Sequence, residues 1–314
     1  MFAPKNIVTY QAANLPTVDT LEQALQEHPF TPCGSQELSR SGWAAPADCI
    51  EGMVLDSHGF LLIALKHEER VLPPQSVREQ LNEKVALIEA EQGRKVYRKE
   101  KLQLKDEVIM DMLPRSFTRS RITYALICPK QGLIHVDTPS HKRAEDLLNN
   151  LRAALGSLNV KLPQTKLSAD KVMTGWLHSE SMPNGWALED ECELRDPMTE
   201  GGKISVEGQD LLSEEITAHL AGGYVVKRLA LEWQQQVRFV LHADLSLHRL
   251  RLSDEYRERL NAEAPEDAQA ALETSVVRWG LEMARLTQEL IETLGGHPDE
   301  EPFKLQQEQD GVAA

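Results

Sequence analysis

The chain has 314 residues, 41% of them apolar, and a formal net charge of −15. That length allows two domains, each with a core, and the composition is ordinary for a globular protein. No apolar run approaches a membrane span, and MFAPKNIVTY lacks a basic region followed by a long apolar core, so a cytoplasmic protein without an export signal is expected.

In chain order, Lys5 to Gln11 reads as a short strand, and Asp19 as the cap of a helix through His28 with Leu21 and Leu25 one turn apart. Phe30 to Trp43 is rich in turn formers and reads as a structured loop. His58-Gly59 marks a turn, and Phe60 to Leu65 a buried strand that ends before Pro73-Pro74. Two helices follow as a hairpin, Gln75 to Gln92 and Arg94 to Leu113, separated at Gly93. Inserted between two strands, such a pair projects as an arm, and its narrow apolar stripes suit a partner or a second copy.

The segment Arg115 to Arg121 carries three arginines and three hydroxyl residues around Phe117 and reads as an exposed junction. Strands Ile122 to Cys128 and Leu133 to Asp137 form a hairpin across Lys130-Gln131-Gly132. Ser140 opens a helix that buries Ala144, Leu147, Leu148 and Leu151 and stops at Gly156. Leu162 to Ser168 reads as a linker. Beyond it come a helix around Lys171 to His178, strands at Trp186 to Leu194 and Lys203 to Val206, and a helix from Ser213 to Leu220. Alternation at Leu229, Leu231 and Trp233, at Val237, Phe239 and Leu241, and at Leu250 and Leu252 predicts an antiparallel meander. The last helix, Ala268 to Leu294, carries Leu272, Val276, Trp279, Met283, Leu286 and Leu290 on one face, which packs on its own sheet or against another chain.

These elements predict an α+β fold: a curved chain with two antiparallel or mixed sheet units, a projecting helical hairpin and a long C-terminal helix. The expected parts are a central domain (1–74 and 115–165), a helical tip (75–114), a base domain (166–297) and a disordered acidic tail (298–314).

Charge is segregated along the chain. Arg94 to Arg121 holds nine Lys/Arg against four Asp/Glu, whereas Asp299 to Asp310 holds five acids and one lysine. For a polyanionic partner the local field matters more than the total. Arg94, Lys95, Arg98, Lys99 and Lys101 open the second arm helix, either as a solvated face or as phosphate contacts. Arg115, Arg119 and Arg121 offer guanidiniums suited to phosphates. Lys227 and Arg228, with Arg238, Arg249 and Arg251 on later strands, form a second basic group. Phe117 either anchors in a partner pocket or folds back onto its own core.

Catalytic patterns are sparse. The four cysteines are scattered, the histidines form no HExxH, and Gly201-Gly202-Lys203-Ile204-Ser205 lacks the spacing of a phosphate-binding loop. No metal or other cofactor is expected. Glu189, Asp190, Glu191 and Glu193 could hold a metal as nucleases do, but alternation along a strand splits them between faces and favours a solvated edge. The residues favour a DNA-binding protein over an enzyme.

Several strings resemble the RdgC family of recombination-associated proteins: FTPCGSQ (Phe30 to Gln36) with Gly42-Trp43, KDEV (Lys105 to Val108) and LPRSF (Leu113 to Phe117). GLIHVD (Gly132 to Asp137), AEDLLNNLRAALGSL (Ala144 to Leu158), QDLLSEEIT (Gln209 to Thr217) and LALEWQQ (Leu229 to Gln235) agree, in order. The resemblance implies a bacterial nucleoid-associated protein that binds DNA, double-stranded above all and single-stranded as an alternative, without sequence preference, and restrains RecA. It also implies a ring-shaped homodimer with a basic hole, the helical arm as its tip, Phe117 at one closure, Arg115 facing the hole and Gln209 near the other closure. Gly208 and Gly223 depart from it, standing where related sequences can carry lysine. Two rival functions remain: an interaction protein whose arm contacts RecA or replication partners directly, and a metal-dependent nuclease using the Glu189 to Glu193 carboxylates.

Overall fold

The computed structural model describes residues 2–179, 181–199 and 202–298; the acidic tail from Asp299 onward lies outside them. The elements are β1 (Ile7–Ala13), α1 (Val18–Gln26), β2 (Ser39–Ala44), β3 (Val54–Ser57), β4 (Phe60–Arg70), α2 (Pro74–Gln92), α3 (Arg98–Met112), β5 (Thr118–Cys128) and β6 (Leu133–Asp137). They continue with α4 (His141–Leu155), β7 (Asn159–Lys161), α5 (Ala169–Ser179), β8 (Trp186–Arg195), β9 (Lys203–Glu207), α6 (Glu214–Ala221), β10 (Val225–Trp233), β11 (Val237–His242), β12 (Leu247–Leu252), α7 (Asp254–Ala262) and α8 (Ala268–Thr293).

The α+β class is as expected, but the strands form one sheet. Its order is β2-β4-β5-β6-β1-β12-β11-β10-β8-β9, with β3 beside β4 and β7 beside β1, and every pairing is antiparallel. The two halves join where Ile7 of β1 meets Leu247 of β12, reinforced by the Leu250 amide donating to the Lys5 carbonyl (2.8 Å). No local pattern announces that junction, since it is a single register pair between segments about 240 residues apart in sequence.

Burial explains the strand patterns. The continuous apolar run of β4 is sandwiched: Phe60 and Leu62 enter one core, and Leu61, Ile63 and Leu65 enter another on the opposite face. The second core is capped by Leu21 and Leu25 of α1 and by Leu147, Leu148 and Leu151 of α4. The first core runs under α5, α6 and α8 and takes in all six stripe residues of α8, from Leu272 to Leu290. The α8 stripe is therefore used within its own chain. Thr17, not Asp19, caps α1, its hydroxyl accepting from the Thr20 amide at 3.4 Å.

β2 corrects the loop reading of Phe30 to Trp43. The sequence SRSGWA has little strand propensity, but it pairs residue for residue with β4 and receives the extended Pro29–Phe30 segment on its other side. The helices α2 and α3 pack on each other around a separate small core of Val85, Val96 and Leu104. Lys84 ties the two helices together through Glu107 (3.5 Å) and Asp111 (3.1 Å). α3 starts at Arg98 and not Arg94, because the chain turns at Gly93 and Val96 tucks into the arm core before Tyr97 opens the helix.

One buried group makes stability depend on pH. The His135 ring is enclosed between Thr9, whose hydroxyl lies 3.0 Å from Nδ1, and apolar neighbours, and Nε2 has no hydrogen-bond partner among the described residues. Desolvation by burial depresses its pKa to about 4, against about 6.5 in an unfolded chain. The unfolded state therefore binds more protons between those values, so this stabilisation is present above pH ~6.5 and is lost as pH falls toward 4. The loss is about 3 kcal/mol for this group. Urea unfolding at pH 7 and pH 4.5 checks it: the His135→Leu variant should show a clearly smaller fall in midpoint than the parent.

Candidate nucleic-acid interface

The arginine segment is built on the far ends of β4 and β5. A 3₁₀ turn, Leu113–Arg115, ends the arm. β5 then begins at Thr118, four residues earlier than the sequence pattern suggests, because β4 continues to Arg70 and supplies a partner for each added residue. Ser120 donates to Glu68 (3.2 Å) and Arg121 to Glu69 (3.3 Å), so a hydroxyl bond and an ion pair reinforce the extension. Arg119 and Arg121 therefore project from the same face of a strand, not from a loop. Arg115 and Arg119 are exposed and have no ion-pair partner among the described residues.

The root of the arm is clamped by Arg70, which sequence reading missed. Its guanidinium donates to the carbonyls of Gly34 (3.1 and 3.2 Å), Leu113 (2.9 Å) and Ser116 (3.1 Å). Those bonds tie the FTPCGSQ loop to the LPRSF turn, which explains why two distant strings belong to one structural unit. Nothing in the local sequence distinguishes Arg70 from an ordinary surface arginine. The Val71 amide donates to the Phe117 carbonyl (2.8 Å), and the Arg70 amide to that of Leu38 (2.8 Å). Phe117 is 87% exposed, next to exposed Val71 (44%) and Leu38 (58%), so it does not fold back onto its own core.

The pleat decides which basic groups share a side. Arg121 and Ala125 lie on one face of β5; Ala125 is opposite Val136, and Val136 opposite Val8. Across the junction the same face carries His248, Val240, Ala230 and Arg228, and then Glu193, Arg195 and Lys203. The structure thus brings Arg119, Arg121 and Arg228 to one side of the sheet. Lys227 is on the other side, where its ammonium is bound by Asp170 of α5 at 2.6 Å. Lys95, Arg98, Lys99 and Lys101 are exposed on the arm, and Arg94 pairs with Glu100 (2.7 Å). Gln209 is exposed in the bend after β9, beside Gly208. Gly208 and Gly223 have φ values of 69° and 91°, a backbone state that lysine would enter only with strain.

The carboxylates of β8 are not on an edge. β8 lies between β10 and β9, and Glu189, Glu191 and Glu193 share the face of the arginines. Glu189 meets Arg238 (3.4 Å) and Arg251 (3.6 Å), Glu191 binds Arg249, and Glu232 binds Arg238 (2.9 Å). Glu193 receives Arg195 (2.8 Å), Lys203 (2.9 Å) and Arg228 (3.1 Å). Burial would raise the Glu193 carboxyl pKa, but the bonds from Lys203 and Arg195 outweigh it and hold the group below the usual range. These acids neutralise guanidiniums, and no cluster of His, Cys, Asp or Glu among the described residues could hold a metal. Among the described residues, no helix is long and apolar enough to cross a membrane.

Comparison with known proteins matches the same span. The family described as "Putative exonuclease, RdgC" covers residues 2–297. A Recombination-associated protein RdgC of Pseudomonas aeruginosa (strain LESB58) is 44% identical over 282 residues, 88% of this chain and 92% of the relative. One from Pseudomonas syringae pv. syringae is 42% identical over 296 residues (93% and 97%), and one from Tolumonas auensis 41% over 283 (90% and 94%). The arm, the clamped arginine turn and the paired charges of the sheet are thus features of a chain that belongs to the RdgC family.

Proposed function

We propose that this chain acts in recombination as a homodimeric ring that encircles duplex DNA, holds its phosphates without reading sequence, and thereby restrains RecA. The observation that carries the reading is the arginine turn: Arg115 and Arg119 stand exposed with no counter-ion among the described residues, beside Arg121 and an exposed Phe117, at the root of an arm that carries the basic stretch Arg94 to Lys101. Arginine without a protein partner keeps its planar fork free for phosphate oxygens. The relatives' name, recombination-associated protein, supports the setting. In this reading Arg94, Lys95, Arg98, Lys99, Lys101, Arg228 and Gln209 add to the DNA surface, while Lys227 braces α5 from behind the sheet. Phe117 closes one contact of the ring, no cofactor is required, and the protein works in the cytoplasm at the nucleoid.

A second reading has its own support. The arm exposes Leu87, Tyr97, Leu102 and Met110, an apolar set suited to contacting RecA or another protein directly. Duplex binding across a salt series separates the two. In the Arg115/Arg119/Arg121→Ala variant the log–log slope should flatten by about 0.9 for every phosphate that each subunit no longer neutralises. An unchanged slope moves DNA away from the turn, and RecA inhibition that survives the loss of DNA binding favours the arm.

A further inference from the structure

The charged face of β8 to β12 looks uniform in sequence but consists of two electrostatically different clusters. In one, Arg238, Arg249 and Arg251 meet Glu189, Glu191 and Glu232, three cations against three carboxylates. In the other, a single carboxylate, Glu193, gathers Arg195, Lys203 and Arg228. Among the described residues the first is balanced, and the second keeps two surplus positive charges. The Glu193 side chain is only 6% exposed, whereas the three cations it holds remain about half exposed at 50%, 48% and 45%. The carboxylate works from underneath as a fixed post, and the three cationic side chains drawn to it keep about half of their surface in solvent.

Donor inventory points the same way. Arg195 donates its Nε–H to Glu193 (2.8 Å), whereas Lys203 (2.9 Å) and Arg228 (3.1 Å) meet the same carboxylate as ion pairs, so most of the donors of the three groups are not used on Glu193. Three cations drawn to one point repel one another, and an anion placed on their outer side relieves that repulsion. The pleat puts these three cations on the same side of the sheet as Arg119 and Arg121, the side on which α1 and α4 cover the second core.

We infer that Arg195, Lys203 and Arg228, gathered on Glu193, form a phosphate grip for the nucleic-acid backbone, and that Arg238, Arg249 and Arg251 are structural. This rests on the DNA reading above and deepens it by naming which part of the sheet touches phosphate. Arg195 and Lys203 carry no sequence signal as ligands, and only the register that sets them opposite each other beside Glu193 reveals them.

The test compares salt-dependent binding of duplex DNA by the full chain in three forms: native, Arg195→Gln/Lys203→Gln, and Arg238→Gln/Arg251→Gln, each checked for an unchanged melting transition. The native protein should bind with a steep slope. The first double variant should flatten it by about 1.8 per subunit engaged, and the second should leave it unchanged. Where the first double variant does not fold, Lys203→Gln alone, at an exposed strand position, should flatten it by about 0.9. Steep native binding with an undiminished slope in the first variant overturns the grip and leaves the DNA reading standing. An equal loss in both double variants also overturns it, since the balanced cluster would then contact phosphate too. No salt-dependent binding by the native protein overturns the DNA reading itself, and the grip with it.

Discussion

In the proposed ring, Phe117→Asp should leave the monomer folded and raise the dissociation constant for self-association at least about 30-fold, read by sedimentation over a dilution series. The aromatic ring is 87% exposed, so its removal takes nothing from the chain's own core. Its backbone is nevertheless fixed: the Phe117 carbonyl accepts from Val71, and Arg70 bonds to the neighbouring Ser116 carbonyl. A rigidly presented aromatic beside Val71 and Leu38 has the form of an interface anchor, and truncating such anchors costs about 2 kcal/mol or more, about 30-fold in affinity. An introduced carboxylate adds the cost of burying a charge without a partner. A dissociation constant within about threefold of the parent would remove Phe117 from the closure and return it to the DNA or partner surface.

Gly42→Ala should destabilise the fold by about 3 kcal/mol, a large effect for one methyl group. A Cβ there would lie 2.4 Å from the Phe30 Cα, 2.6 Å from its nitrogen and 2.7 Å from the Pro29 carbonyl oxygen, all backbone atoms. The strands cannot part to admit it, because Phe30 donates to the Trp43 carbonyl (2.7 Å) and Trp43 to that of His28 (3.0 Å). Trp43 is fully buried behind this contact, so any shift is felt in the second core. The control is Gly175→Ala in α5, where a Cβ meets nothing within 4 Å and alanine is the better helix former. Denaturant midpoints should fall for the first variant and hold or rise for the second. Equal midpoints would mean that the 28–30 segment yields, and that it is not clamped against β2.

Much of the molecule follows from local pattern. The spacing of Val77, Val85, Leu104 and Val108 makes the arm, and that of Leu147, Leu148 and Leu151 makes α4. The alternation around Leu229 to Leu241 makes the meander. These elements are legible because each buries one face, and a buried face imposes its period on the sequence. The same alternation puts Arg228 and Lys227 on opposite sides of β10. The short β3 and the polar α7 escape because four residues, or a largely exposed helix, carry too little period.

The rest is decided by partners far away in sequence. SRSGWA is a strand only because β4 and the Pro29–Phe30 segment border it, and Thr118 to Arg121 is a strand only because β4 runs on to Arg70. The single Ile7–Leu247 pairing turns two expected sheets into one, and so puts Arg119, Arg121 and the Glu193 cluster on a common face. A sequence shows how many charges a segment has, but not which of them are already neutralised. Glu189 to Glu193 read as a solvated edge and are the counter-ions of six cations, because strand register, set by the whole sheet, fixes who stands opposite whom.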